Sequence, residues 1–143
     1  MAVTPVPAGY HTVTPYLVVL DGEGLIAFLR AAFQAEEQSR TVRPDGTIAN
    51  AALRLGDSMV MVAQAREPWT PMPTGLYLYV PDVDSTYLAA LKAGGSPLME
   101  PSDQFYGDRN AGVQDAWGNN WWIATHIEDV ADVEIQRRMA ARG

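Results

Sequence analysis

Residues Asp103–His126 read DQFYGDRNAGVQDAWGNNWWIATH. The stretch holds three of the chain's four tryptophans, an aromatic-Gly-Asp-Arg turn, a Gly-Asn-Asn turn and one of its two histidines. Tyr106–Gln114 and Asn120–His126 read as two strands of a hairpin around Gly118. Successive strand residues point to opposite faces, so Trp121 and Ile123 go one way while Asn120, Trp122, Ala124 and His126 go the other.

Upstream, Leu76–Val80 alternates, with Leu76, Leu78 and Val80 opposite Gly75, Tyr77 and Tyr79. Asp82 or Asp84 then caps a helix bearing Val83, Tyr87, Leu88 and Leu91, which Gly94-Gly95 ends with the positive-φ residues a C-cap prefers. Ser96–Glu100 is a further strand. The order is strand, helix, three strands.

The first half of the chain has the same order. Thr14–Leu20 (TPYLVVL) is a strand with Pro15, Leu17 and Val19 on one face and Thr14, Tyr16 and Val18 on the other. Asp21 opens a helix whose Leu25, Phe28, Leu29, Ala32 and Phe33 recur at helical spacing and make one apolar stripe. Glu36–Val42 is a polar edge strand, Pro44-Asp45-Gly46 a turn, and Ile48–Leu55 with Ser58–Ala63 a hairpin around Gly56-Asp57. Asp21 and Asp82 are 61 positions apart, as are Tyr16 and Tyr77, and Gly56 precedes Gly118 by 62. This constant offset predicts a tandem duplication. Between the halves, Arg66–Pro73 (REPWTPMP) carries three prolines and reads as a linker. Met1–His11 is an uninformative lead-in, and Asp132–Arg142 is a short capped helix with a Glu134–Arg138 pair. The chain of 143 residues is thus expected to be one domain (1–143) with modules at about 12–65 and 74–127 and a C-terminal helix at about 132–142.

Composition narrows the chemistry. With 48% apolar residues the chain can bury an ordinary core. It has no run near the roughly 18 apolar residues of a membrane span, and its N-terminus lacks the pattern of a signal peptide, so a cytoplasmic location and no membrane partner are expected. Zero cysteines remove disulfides, thiolate metal sites and a cysteine nucleophile. A net charge of −7 and a pI near 4.6 disfavour nucleic acid, whose binding rests on neutralising phosphates, and suit a neutral or cationic small molecule.

Paired βαβββ modules, the opening TPYLVV, the hairpin ALRLGDSMVMVA and above all Asp103–His126 resemble the vicinal oxygen chelate superfamily. That superfamily includes glyoxalase I, bleomycin-resistance proteins, fosfomycin-resistance enzymes and extradiol dioxygenases. The branch it looks most like is that of the phosphonate-operon B protein, which carries a similar D-Q-F-Y-G-D-R stretch followed by W-x-I-A-T-H. The resemblance covers about residues 12–140. It implies an α+β fold in which two tandem βαβββ modules form a curved, mostly antiparallel sheet round a cavity, with helices outside, and a homodimer.

On that fold the aliphatic strand faces lie under the helices, and Tyr16, Tyr77, Tyr79 and Trp122 line the cavity. Metal-dependent members take two ligands from each module, and the resemblance places those four positions near Thr14, Val60, Gly75 and Trp122. None is a conventional ligand, and His11, Asn50 and His126 are the nearby alternatives. Asn50 and Asn119 also stand where the family often has His. No metal and no cofactor is therefore expected. His126 is read as a strand-end histidine with a hydrogen-bonding role, and Asp103, Asp108 and Asp115 as capping or solvated groups that could otherwise supply a general base. Arg109, beside Phe105 and Tyr106, either clamps a carboxylate or phosphonate or is held by Asp108 or Asp115.

The expected ligand-binding set is Tyr16, Asn50, Trp69, Tyr77, Tyr79, Phe105, Tyr106, Arg109 and Trp122, with no assigned catalytic residue. Aromatic walls with a few polar groups suit a planar or amphipathic ligand. Two functions compete: a metal-free binding protein of the bleomycin-resistance kind, sequestering an aromatic compound, and a metal-dependent isomerase, lyase, transferase or dioxygenase of the same superfamily. A purely structural role, with the cavity filled by the chain's own side chains, is the third.

Overall fold

The computed structural model describes residues 2–143; Met1, the first residue of the lead-in, lies outside them. The chain divides into two compact units, the first ending at Thr74 and the second running from Gly75 to Gly143. Each is a βαβββ module with its own four-stranded mixed sheet.

In the first unit the elements are β1 (Tyr16–Val19), α1 (Gly22–Phe33), β2 (Glu36–Val42), β3 (Ile48–Leu55) and β4 (Ser58–Gln64). The sheet order is β1-β4-β3-β2, with β1 parallel to β4 and the other pairs antiparallel. Asp21 caps α1 by accepting from Gly24 N at 3.0 Å, and Gln34 closes it in the left-handed region at φ 57°. The stripe behaves as its spacing predicts: Leu25, Phe28, Leu29 and Ala32 are buried against the sheet face bearing Leu17, Leu53 and Val62. Phe33 is only half-buried, whereas Ile26, off the stripe, is buried. Fully burying one such side chain contributes about 1.5–3 kcal/mol, so this face fixes which way the sheet points. Gly22 allows α1 to start close to the sheet, since a Cβ there would sit 3.1 Å from Ile48 Cβ. The free edge, β2, is charged, and its Arg40 pairs with Glu37 and Glu23. Such an edge resists pairing with another sheet.

The Arg66–Pro73 segment is more than a linker. Arg66 N donates to Trp69 O at 2.9 Å, and Met72 N donates to Val18 O at 3.1 Å, which ties the segment to β1.

The second unit contains β5 (Gly75–Tyr79), α2 (Val83–Lys92), β6 (Ser96–Asp103), β7 (Asp108–Gln114), β8 (Asn120–His126) and α3 (Asp132–Ala141). Its sheet order, β5-β8-β7-β6 with β5 parallel to β8, repeats that of the first unit. The duplication extends to register: Tyr16 faces Met61 across β1–β4, and Tyr77 faces Trp122 across β5–β8. Asp82 is the cap of α2, accepting from Asp84 N and Ser85 N. Val83, Tyr87 and Ala90 form the buried side of this helix, and Leu88, expected on it, is 63% exposed. Gly94 has the predicted positive φ of 110°, but Gly95 is required for a different reason. A Cβ there would meet Val113 Cγ1 at 2.3 Å.

Several boundaries also differ from the periodicity reading, among them β1, which is Tyr16–Val19 in place of Thr14–Leu20. Ser96 continues as strand to Asp103. Strand β7 begins at Asp108 rather than Tyr106, because Gln104–Gly107 forms a turn closed by Gly107 N to Gln104 O at 3.2 Å. Gly107 has φ 102°, and a Cβ there would lie 2.2 Å from Glu128 O, so the turn and the chain leaving β8 pack backbone to backbone.

Candidate functional site

Register determines which side chains meet on each face of the second sheet. Gly75, Tyr77 and Tyr79 pair with Asn120, Trp122 and Ala124. Those in turn pair with Gln114, Gly112 and Asn110, and His126 pairs with Asp108. Directly paired residues share a face. One face therefore carries Tyr77, Tyr79, Asp108, Asn110, Gly112, Trp122 and His126, and the opposite one carries Trp121, Ile123, Ala111 and Val113, all fully buried.

At the centre of the first face Trp122 spreads over Gly112. A Cβ on Gly112 would fall 2.4 Å from Trp122 Cζ3, and 3.2 Å from Leu98 Cβ on the neighbouring strand. Beside the indole, Tyr77 and Tyr79 are 45% and 64% exposed, with ring centroids 5.4 Å apart. The aromatic wall is open.

At one end of this wall is a polar cluster. Asp108, only 4% exposed, accepts from Tyr77 Oη at 2.7 Å and Tyr79 Oη at 2.9 Å on Oδ2, while His126 Nδ1 lies 2.9 Å from its Oδ1. Burial works to raise the Asp108 pKa, but the hydrogen bonds from His126, Tyr77 and Tyr79 together hold it below the usual carboxylate value. Burial, and then the bond to Asp108, push the Tyr77 phenol well above its ordinary range; Tyr79 is raised mainly by its bond to Asp108. His126 is bracketed by Asp108 and by Asp129, 2.7 Å from Nε2, and its pKa is raised by those two bonds in that order. Asn110 donates from Nδ2 to Tyr77 Oη at 3.1 Å and Tyr106 Oη at 2.6 Å. Its Oδ1 is buried without a hydrogen-bond partner.

The expected site residues separate in the structure. Tyr77, Tyr79, Tyr106 and Trp122 come together on or beside this face, with Phe105 edge-to-face on Tyr106 at 5.2 Å. Tyr16, Asn50 and Trp69 belong to the first unit. Tyr16 is exposed opposite Met61, Asn50 is half-buried opposite Thr41, and Trp69 is 67% exposed.

Arg109 stands elsewhere. Alternation turns it to the helix side, where it bonds Asp84 (Nε 3.1 Å, Nη2 3.0 Å) and Asp103 (Nη1 3.0 Å). Its partners are neither Asp108, which points to the other face, nor Asp115. The guanidinium stacked on Phe105 is that of Arg142, 4.8 Å from the ring centroid. Asp115 shapes the turn between β7 and β8, where it is buried and accepts from Trp117 N, Asn119 N, Asn119 Nδ2 and Trp121 Nε1. Sequence reasoning does not single out Asp108 and Asn110 as ligand-facing. Extending the Trp122–His126 alternation to Asp108-x-Asn110-x-Gly112 is the signal that finds them.

The positions that hold metal in related folds do not fit one here. The counterpart of Trp122 is Met61, because Met61 faces Tyr16 as Trp122 faces Tyr77; Val60, buried opposite Leu53, points to the other face. A hydroxyl (Thr14), a thioether (Met61), no side chain (Gly75) and an indole (Trp122) do not make the set of hard or borderline donors a divalent ion needs. His126 is already engaged by Asp108 and Asp129, and among the described residues no three His, Asp or Glu are grouped as a ligand set.

Comparison with known proteins agrees with this architecture. The family model for the glyoxalase/bleomycin resistance protein/dioxygenase superfamily matches residues 10–123. An uncharacterized protein of Mycobacterium bovis, Mb0911c, is 34% identical over 154 residues, spanning 100% of this chain and 99% of its own. Among solved structures, TioX from Micromonospora sp. ML1 superposes with a TM-score of 0.71 at 25% identity, covering 82% of this chain and 99% of its own. The PhnB protein from Bacillus cereus gives a TM-score of 0.64 at 19% identity, over 80% of this chain and 99% of its own, a likeness of fold alone.

Proposed function

Because the chain belongs to the glyoxalase/bleomycin resistance protein/dioxygenase superfamily, we propose that it is a small-molecule-binding protein that works without a metal. Its ligand is an aromatic or amphipathic compound, and sequestration of such a compound, as in antibiotic resistance, is its proposed role. The observation that carries this reading is the Trp122 indole laid over Gly112 beside the exposed rings of Tyr77 and Tyr79. A bare backbone beneath an aromatic ring leaves room for a large flat wall, and a buried polar group at its end supplies orientation. The position that related enzymes use for a metal donor carries that indole, which supports binding over metal-assisted chemistry.

The wall in the second unit is the core of the proposed site, with Tyr77, Tyr79, Tyr106 and Trp122 as contacts and Phe105 as support for Tyr106. Tyr16, Asn50 and Trp69 are proposed as ligand contacts of the first unit, taken by itself. A homodimer in the cytoplasm completes the reading; among the described residues no helix is long and apolar enough to cross a membrane.

Titrating planar aromatic compounds against intrinsic tryptophan fluorescence tests the proposal. Saturable quenching that is lost in Trp122→Ala is expected. Stoichiometric Mn, Fe, Ni or Zn retained after dialysis, with turnover dependent on it, would overturn it.

A further inference from the structure

Helix α3 is held in place by charge. Not one of its ten residues is buried, and Ala131, at its N-cap position, gives it no side-chain cap. A helix that short is marginal in water unless packing supports it. What supports α3 is Glu134, which pairs with Arg137 and Arg138 one turn on, together with the contacts that Arg138 and the C-capping Arg142 make to the turn Gln104–Gly107.

Arg138 is the main tie. Its Nη1 donates to Phe105 O at 2.9 Å and to Glu128 Oε1 at 3.1 Å, its Nη2 to Glu128 Oε2 at 3.2 Å and its Nε to Glu134 Oε2 at 2.8 Å. One guanidinium thus joins α3, the segment leaving β8 and the turn before β7, which a lysine, lacking the planar fork, cannot do. Arg142 lies over the Phe105 ring, 4.8 Å from its centroid, as a cation–π contact.

The turn so fastened carries Tyr106. Its ring meets Phe105 edge-to-face at 5.2 Å, and its hydroxyl lies 2.6 Å from Asn110 Nδ2, on the face that bears Tyr77 and Trp122. The same turn is backed by the segment after β8, where Ile127 N and Glu128 N donate to Gly107 O at 2.8 and 3.0 Å. Contacts are therefore continuous from Arg138 and Arg142 through Phe105 and Tyr106 to Asn110 and Tyr77.

We infer that Arg138 and Arg142 are positioning residues of the binding site: from α3 they fix the backbone and the ring of Phe105, and through Phe105 they set where Tyr106 stands against the wall. The inference rests on the binding reading above and adds to it a helix that itself touches no ligand. Ion pairs at the surface weaken as salt rises, so affinity for an uncharged ligand becomes dependent on ionic strength through α3.

The test uses 2-naphthamide, which is planar and uncharged, and the full-length protein with 13C-labelled tyrosine rings, the Tyr106 signal being assigned by Tyr106→Phe. Arg138→Gln should shift that signal in the ligand-free protein, leave the Tyr16 signal in place and weaken 2-naphthamide severalfold at low salt; Arg142→Gln should do the same to a smaller extent. At about 1 M NaCl, where the Debye length is about 3 Å, the affinities of Arg138→Gln and the unaltered chain should converge. Arg138→Lys, which keeps the charge without the fork, should fall between them. In a Tyr106→Ala background Arg138→Gln should have no further effect on affinity, because it acts through that ring. A Tyr106 signal unmoved by both arginine substitutions, or affinity losses that add in the double variant, overturns the inference and leaves the aromatic wall in place. No binding of 2-naphthamide to the unaltered chain overturns the binding reading, and the inference with it.

Discussion

Gly112 lies directly beneath the ring of Trp122, so near that a Cβ on Gly112 would come within 2.4 Å of Cζ3 and 2.7 Å of Cε3. The two residues face each other across the β7–β8 pair, and the glycine is the reason the indole can lie flat.

Gly112→Ala is therefore expected to tilt the indole off the sheet. Overpacking of this kind costs about 1–3 kcal/mol. The variant should unfold earlier in urea, show an altered tryptophan emission maximum and lose aromatic-ligand affinity together. Unchanged emission with unchanged stability would show that the ring does not rest on the glycine.

Asp108 is the acceptor on which Tyr77, Tyr79 and His126 converge. Replacing it with Ala leaves those donors without a partner in a largely buried place, at about 1–3 kcal/mol for each donor that water does not reach. Tyr79→Phe removes one bond at an exposed ring and should cost no more than about 1 kcal/mol. Chemical denaturation of both variants is the measurement, and equal losses would contradict the hierarchy.

The pH response follows from His126. Asp108 from β7, Asp129 from the segment after β8 and the ring of Tyr79 from β5, at 6.5 Å, surround the imidazole. The two carboxylates raise its pKa above 6.5, Asp108 first. A histidine whose pKa is higher folded than unfolded contributes stability that is complete below about pH 6.5 and is lost as pH rises through the folded value. Titration of the His126 ring signals by NMR should give a midpoint above that of free histidine. Asp129→Asn should move it back down, and no movement would remove Asp129 from the account.

Asp115 should prove structural. It accepts four hydrogen bonds from the turn and from Trp121, so Asp115→Ala is expected to lower stability by about 3 kcal/mol, in the range of leaving buried donors unpaired. Ligand affinity measured well below the variant's melting temperature should persist. A stable variant that has lost binding would place Asp115 in the site instead.

Leu88 gives a control. It sits on the exposed side of α2, so Leu88→Gln should change stability by no more than about 0.5 kcal/mol.

Much of this architecture is legible in the residue order. The aliphatic alternation of Leu17 and Val19, the apolar stripe of Leu25, Phe28, Leu29 and Ala32, the caps Asp21 and Asp82 and the constant offset between halves all encode local geometry, and each is found where its spacing predicts. Periodicity misleads where a close approach outweighs it. Alternation assigns Tyr106 and Gly107 to a strand, but Gly107 turns because the chain at Glu128 packs against it. Apolarity alone places Leu88 inward, but the buried side of the helix runs through Val83, Tyr87 and Ala90, at i, i+4 and i+7, and leaves Leu88 outside it.

The site divides in the same way. By itself the sequence determined that Tyr77 and Tyr79 share a face, as do Trp122 and His126, because strand alternation is a property of consecutive residues. Only the tertiary structure decided what they share it with. The register of β7 against β8 put Asp108 and Asn110 under the tyrosines and Gly112 under the indole, and it turned Arg109 away to Asp84 and Asp103. The β7–β8 register is a relation between two strands, set by how the sheet buries its apolar face and by the turn that Asp115 holds between them, and alternation within either strand alone does not record it.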